Sequence, residues 1–136
     1  MNITFIGGGN MASALIGGLL KRGFAAAHIR VVEVNHDSCT RLHNEYGVRA
    51  SADLAAGVAH SEFIVLAVKP QQLHEAAMQL APILAGQLVI SIAAGIRAAD
   101  LQRWLKTDNI VRAMPNTPLS VHQGTIAFLS KVSLNP

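Results

Sequence analysis

Short apolar segments alternate with longer segments of mixed polarity along the chain. Apolar runs of strand length, most of them rich in valine and isoleucine, occupy residues 3–6, 29–34, 63–68, 88–92 and 110–113. Continuous apolar runs bounded by polar or turn-forming residues are typical of strands buried on both faces of a sheet. The pattern therefore predicts five strands. A short additional strand is expected at residues 47–50, and another in the tail formed by residues 124–136.

The segments between these strands have helical periodicity. Apolar residues recur every three or four positions in two of them, at Met11, Leu15, Ile16, Leu19 and Leu20, and at Leu73, Ala77, Leu80 and Leu84. Asp37 and Asp53 are expected to be helix N-caps, and Asp100 to lie early in a fifth helix that packs Trp104 into the core. Alternating strands and helices predict an α/β fold with a doubly wound, mainly parallel sheet and helices on both faces.

Composition fits a single folded domain spanning residues 1–136. Hydrophobic residues make up 51% of the chain and charged residues 14%, which excludes a disordered charged tail. The formal net charge is +3, but the eleven basic residues are scattered and form no run suited to a phosphate backbone. We therefore expect no nucleic-acid partner. No internal repeat, low-complexity tract or linker is apparent.

Several classes of chemistry find no support in the sequence. The six histidines lack the spacing of a zinc site, so no metal is expected, and Cys39 is the single cysteine. No serine or cysteine has the surroundings of a covalent nucleophile. We find no export signal and no apolar segment of the roughly 20 residues needed to span a membrane, so the expected location is the cytoplasm.

The candidate functional motif follows the first predicted strand. Here Ile6 is followed by Gly7, Gly8, Gly9, Asn10, Met11 and Ala12, a G-x-G-x-x-A sequence. In dinucleotide-binding folds the first glycine permits the tight turn, the second lets the backbone approach a pyrophosphate, and the small third residue allows close helix packing. A glycine triplet alone is weak evidence. Its position between a strand and an amphipathic helix predicts a Rossmann-type dinucleotide-binding domain.

Glu33 strengthens this interpretation because it lies at the end of the second predicted strand, where an acidic residue contacts the adenosine ribose. A carboxylate there would favour NAD over NADP through repulsion of a 2′-phosphate. Alternatively, Glu33 is an ordinary surface acid, and Asn35 and His36, with Arg41 one helical turn further on, contact a 2′-phosphate. The sequence leaves the choice between NADPH and NADH open.

Three later segments end strands in residues suited to ligand contact. The first consists of Ala67, Val68, Lys69 and Pro70 and is expected to line the cofactor crevice. Pro70 is expected to start the helix that follows. Small residues at Ala93, Ala94 and Gly95 follow Ser91 and Ile92, and would allow the backbone close to a flat ring. The third is a stiff loop, Met114, Pro115, Asn116, Thr117 and Pro118, in which Asn116 is a candidate contact to a nicotinamide amide.

Together with the glycine motif, these segments resemble the pyrroline-5-carboxylate reductase family over residues 1 to about 128. The resemblance implies hydride transfer from NADPH or NADH to 1-pyrroline-5-carboxylate, giving L-proline in the last step of proline biosynthesis. It also implies a helical carboxy-terminal domain, absent from these 136 residues, that binds substrate and makes the full-length protein a homodimer or higher oligomer. The catalytic residues therefore stay unknown, and the chain alone is expected to be inactive.

Two alternative functions are also compatible with the sequence. Another dehydrogenase, such as a beta-hydroxyacid or prephenate dehydrogenase, can carry the same cofactor domain, although the loop at residues 114–118 argues against it. A non-catalytic dinucleotide-sensing module is the other alternative, because a fold does not by itself imply an activity.

Overall fold

The computed structural model describes residues 2–93 and 95–113. Within them the strands are β1 (Ile3–Ile6), β2 (Ile29–Val32), β3 (Arg49–Ser51), β4 (Phe63–Leu66), β5 (Leu88–Ser91) and β6 (Ile110–Arg112). The helices are α1 (Asn10–Lys21), α2 (His36–Tyr46), α3 (Leu54–Val58), α4 (Pro70–Leu80) and α5 (Ala98–Leu105). Short 3-10 turns lie at Ala26–His28 and Ala81–Ile83.

The six strands form one parallel sheet in the order β3-β2-β1-β4-β5-β6. Strand β1 lies at the centre, with Phe5 paired to Val31 on one side and to Val65 on the other. The strand order reverses between β1 and β4, and such a switch point opens a crevice at the carboxyl ends of the strands. The predicted doubly wound α/β fold is confirmed.

Helices cover both faces of this sheet. Side chains alternate along β1, so that Ile3 and Phe5 pack with Leu15, Ile16 and Leu19 of α1 in one core cluster. On the other face, residues of α3, α4 and α5 pack with the opposite side chains of β4, and the buried members include Val58, Ile64, Leu66, Leu73, Leu80, Leu101 and Leu105. Trp104 packs against this second cluster, as predicted, and its ring lies 4.4 Å from that of His74.

The strands end earlier than the apolar runs predict. Strand β2 stops at Val32 and β4 at Leu66, two residues before the predicted ends. The next residues still bond to the sheet, since the Glu33 amide donates to the Ser51 carbonyl and the Ala67 amide to the Ile6 carbonyl, both at 2.8 Å. The chain then leaves the sheet at the crevice, so the regular ladder of hydrogen bonds between the strands ends earlier. The additional strand lies at Arg49–Ser51, shifted from the predicted residues 47–50.

Two predicted helix limits are wrong. Asn35, not Asp37, caps α2, because its Oδ1 accepts a hydrogen bond from the Ser38 amide at 3.0 Å and Asp37 lies in the first turn. Leu84 lies beyond α4, since Pro82 lacks the amide hydrogen that would continue the helix. The predicted cap at Asp53 is confirmed by its 3.1 Å bond to the Ala56 amide, and Asp100 lies in the first turn of α5.

None of the helices in the described part of the chain is long and apolar enough to cross a membrane. The predicted strand within residues 124–136 lies outside the described residues.

Candidate functional site

The glycine loop begins directly after β1 and packs against the end of β4. Gly7 has a φ of +105°, a backbone conformation that residues other than glycine rarely adopt. A Cβ atom at Gly7 would lie 2.9 Å from the Ala67 carbonyl oxygen. Gly7 therefore permits both the turn and the close contact between the β1 and β4 ends, the role that the sequence motif predicts.

Gly9 is the N-cap of α1 and differs from Gly7 both in its φ angle and in the space around its Cβ position. Its φ of −82° is open to any residue, and a Cβ atom there would meet nothing within 4 Å. The first amide groups of a helix lack intrahelical acceptors, so those of α1 can bind an anion in front of Gly9. No acidic residue lies in the first turn of α1. The start of α1 thus offers donors, a favourable helix dipole and free space.

The Glu33 carboxylate joins the glycine loop to the start of α2. Its Oε1 accepts a hydrogen bond from the Gly8 amide at 2.9 Å, and its Oε2 accepts one from the Asn35 amide at 3.0 Å. Glu33 is therefore held in a fixed orientation at the carboxyl end of β2. Carboxylate oxygens can accept further hydrogen bonds, so ribose hydroxyls can still bind there.

Arg41 of α2 contacts the same loop through the Gly8 carbonyl. Its guanidinium donates to the Gly8 carbonyl at 3.2 Å and to the Ser13 hydroxyl at 3.1 Å. It also forms an ion pair with Glu45 at 3.5 Å. Both polar groups of Gly8 are thus bonded to side chains from β2–α2, which orients the glycine loop without any ligand.

A cavity of about 420 Å³ lies beside this loop at the switch point of the sheet. Its walls come from the glycine loop, the carboxyl ends of β2 and β4, the start of α3, and one face of α4. Ligands of doubly wound sheets bind in this crevice, and the volume is within the range of small-molecule sites.

Half of the predicted contact residues line this cavity, namely Ile6, Gly7, Gly8, Gly9, Glu33, Ala67, Val68 and Lys69. The others that the structure describes do not line it. Asn10 and Pro70 begin α1 and α4, and the Asn35 side chain caps α2. Met11 packs against the first core cluster, Ala93 is buried in the second, and Gly95 is exposed with a φ of +80°. Ala94 and Asn116, with the rest of the loop at 114–118, lie outside the described residues.

Two walls of the cavity consist of residues not predicted from the sequence. One is apolar and contains Val34, Ala52 and Leu54, while the other is a stripe on α4 formed by Gln72, Glu75, Ala76 and Gln79. The only sequence signal for the α4 stripe is its position directly after Pro70 at the end of β4. Its polar residues resemble any solvent-exposed helical face, so periodicity could not distinguish a site wall from a surface.

A second cavity, of about 430 Å³, lies between α2 and β3 and shares Glu33, Val34 and Ala52 with the first. His36, His43 and Cys39 also line it. Burial, followed by the negative charge of Glu33, raises the pKa of the Cys39 thiol, whose Sγ donates to the Glu33 carbonyl at 3.2 Å. Cys39 is therefore a neutral thiol and not an activated nucleophile. Residues 2–93 and 95–113 contain no cluster of metal-ligating side chains.

The fold, the glycine loop and the crevice define a dinucleotide-binding domain of the oxidoreductase type. A family model described as "NADP oxidoreductase coenzyme F420-dependent" matches residues 2–95. The match covers more than half of the 136 residues, and the chain belongs to this family.

Curated relatives identify a narrower resemblance. The chain is 43% identical over 135 residues to the pyrroline-5-carboxylate reductase of Pseudomonas aeruginosa, covering 98% of this chain and 50% of that protein. It is also 43% identical to the reductase of Pasteurella multocida, covering 99% of this chain and 51% of that protein. The resemblance predicted from the sequence motifs is confirmed. The chain spans about half the length of the curated relatives it matches.

Solved structures give the same result. The pyrroline-5-carboxylate reductase of Coxiella burnetii superimposes with a TM-score of 0.81 at 41% identity, covering 88% of this chain and 46% of that one. The Plasmodium falciparum reductase, solved with NADP bound, has a TM-score of 0.73 at 27% identity. The match covers 89% of this chain and 44% of that one. Prephenate dehydrogenase from Aquifex aeolicus matches with a TM-score of 0.74 at 21% identity, a likeness that concerns the fold alone.

Proposed function

We propose that this chain is the dinucleotide-binding half of a pyrroline-5-carboxylate reductase. The whole protein would transfer a hydride from NADPH or NADH to the C=N bond of 1-pyrroline-5-carboxylate, giving L-proline in the last step of proline biosynthesis. The main support is the open position at Gly9, beside a 420 Å³ crevice at the switch point, in a chain 43% identical to named reductases.

In this proposal the chain binds and orients the cofactor. The amide groups at the start of α1, at Asn10 and Met11, bind the pyrophosphate in the space in front of Gly9. The segment from Ala67 to Pro70 supports the middle of the dinucleotide, with Lys69 as a cation at the edge of the cavity. The residues proposed to contact the nicotinamide end, on the sequence motifs that contain them, are Ala93, Ala94, Gly95 and Asn116.

When bound, the reduced nicotinamide supplies the hydride, and little covalent chemistry is required of the protein. The contribution of this chain is orientation, because the donor and acceptor carbons must be held roughly 3–3.5 Å apart. We assign no proton donor to these residues. The substrate site and the homodimer contacts would belong to a carboxy-terminal domain. We also propose a cytoplasmic location and no nucleic-acid or membrane partner.

A hybrid enzyme tests this proposal. The chain would replace the corresponding half of the Pseudomonas aeruginosa relative, and NAD(P)H oxidation would be followed by absorbance with and without 1-pyrroline-5-carboxylate. We expect substrate-dependent oxidation by the hybrid. The 136 residues alone should bind dinucleotide but turn over at least about 1000-fold more slowly, since enforced orientation of the two reactants is lost.

Each arm of this experiment can contradict the proposal. If the chain binds neither NADPH nor NADH, dinucleotide binding itself is refuted. The result would then exclude both the reductase and the alternative dehydrogenases. Binding without substrate-dependent oxidation in a folded hybrid would instead favour a sensing module or a dehydrogenase for another substrate, and activity toward prephenate or a beta-hydroxyacid would identify the latter.

Glu33 is expected to decide cofactor preference. Replacing Glu33 with glutamine removes the negative charge but keeps one oxygen to accept from the Gly8 amide. NADPH binding should improve relative to NADH by about fivefold, the effect of removing roughly 1 kcal/mol of partly screened like-charge repulsion. The measurement is the ratio of the two dissociation constants by calorimetric titration.

Asp37→Asn is the matched control for this change, because Asp37 is a nearby carboxylate of α2 that lines neither cavity. It should change the ratio much less than Glu33→Gln. If Glu33→Gln leaves the ratio unchanged within error, Glu33 acts only in orienting the glycine loop.

A further inference from the structure

One face of α4 carries three polar side chains along the cavity. Gln72, Glu75 and Gln79 follow each other at intervals of three and four residues, so they form one stripe on the helix. Among the described residues, none of these three side chains takes part in a side-chain hydrogen bond or ion pair. Their donors and acceptors are therefore available to a ligand in the cavity.

The wall formed by the β2 and β3 ends has the opposite character. Val34 is 85% exposed, although valine is a large apolar residue, and it lines the cavity together with Ala52 and Leu54. An exposed valine in a concave site gains free energy when a flat apolar surface covers it. The cavity thus combines an apolar wall with a polar stripe.

These two walls suit a planar nitrogen heterocycle, which has apolar faces and a polar edge. Glu33 indicates where it would lie, because a carboxylate at this strand end is adjacent to the adenosine ribose, with the pyrophosphate at α1 on the other side. A base attached to that ribose would occupy the part of the cavity that Val34 and the α4 stripe line.

We propose that Glu75 is a specificity-determining residue that accepts a hydrogen bond from the exocyclic amino group of adenine. This inference rests on the proposed dinucleotide function and extends it to the choice of base. An ionised carboxylate only accepts hydrogen bonds. It favours adenine over a base with a carbonyl oxygen at the same position, because that oxygen would face the carboxylate without a proton between them.

The test uses NADH and its hypoxanthine counterpart, in which the adenine amino group is replaced by a carbonyl oxygen. The protein should bind the hypoxanthine dinucleotide about tenfold more weakly, as expected for the loss of one hydrogen bond to a charged group. In Glu75→Gln the preference should fall to about twofold or less, because a carboxamide can donate to the carbonyl oxygen as well as accept from the amino group.

Glu62→Gln is the control, since Glu62 is exposed, precedes β4 at the opposite end of the sheet and does not line the cavity. It should keep the tenfold preference. Equal binding of both dinucleotides by the unmodified protein, or an unchanged preference in Glu75→Gln, would overturn the role of Glu75 while leaving dinucleotide binding in place. Failure to bind NADH at all would refute the proposed function instead, so the two failures are distinguishable.

Discussion

Replacing Gly9 with valine is expected to weaken dinucleotide binding by at least about 100-fold, or roughly 2.8 kcal/mol, without unfolding the protein. The backbone of Gly9 has an ordinary negative φ, and its Cβ position is open, so the fold tolerates a side chain. The same open space lies in front of the free amides of α1. A branched side chain there would occupy the volume of a pyrophosphate and block these donors.

Calorimetric titration with NADH and NADPH measures the affinity, and thermal unfolding checks the fold. Ala14→Val is the matched control, because it adds a valine to the exposed face of α1 outside the cavity. It should leave the affinity within about twofold of the original protein. Unchanged affinity in a folded Gly9→Val variant would remove the start of α1 from the binding site.

Replacing Gly7 with alanine should, unlike Gly9→Val, act mainly on stability. We expect a loss of about 3 kcal/mol or more in the free energy of unfolding. Two costs combine at this position. A non-glycine residue at a φ of +105° is strained by about 1–3 kcal/mol. Its Cβ would also lie 2.9 Å from the backbone carbonyl of Ala67, which cannot move without disturbing β4, and such overpacking typically costs another 1–3 kcal/mol.

Urea denaturation followed by circular dichroism gives this free energy. Gly9→Ala serves as the comparison, since it places the same methyl group two residues away where there is neither strain nor contact. We expect Gly9→Ala to change the stability by less than about 1 kcal/mol. A Gly7→Ala protein as stable as Gly9→Ala would mean that the loop does not hold the conformation described here.

The order and type of the elements could be predicted because burial on both faces gives parallel strands continuous apolar runs. The same physics made the strand ends unpredictable. Val34 and Val68 extend two such runs, yet the chain has already turned into the crevice at these positions. Both valines line the cavity and Val68 also packs against the second core cluster, so sequence periodicity cannot separate contact with the cavity from contact with the core.

Prediction of the site was limited in a similar way. The glycine loop is recognisable because backbone geometry itself demands glycine at Gly7. The bonds of Glu33 to the Gly8 and Asn35 amides are different, because they depend on how β1 and β2 lie side by side. Nor could spacing alone place Glu75 in the wall of the cavity that the glycine loop also lines, since that requires knowing how α4 crosses the sheet.

The two hydrogen bonds that the Glu33 carboxylate accepts have a consequence for redesign of the cofactor preference. The side chain that we propose as the ribose contact also holds the glycine loop through its bond to the Gly8 amide. A substitution chosen only for its effect at the ribose therefore changes two properties together, because a side chain without a hydrogen-bond acceptor at this position also releases the Gly8 amide. Efficient conversion would require a compensating acceptor for that amide, so changes at this position are expected to be epistatic with substitutions in the loop and at Arg41.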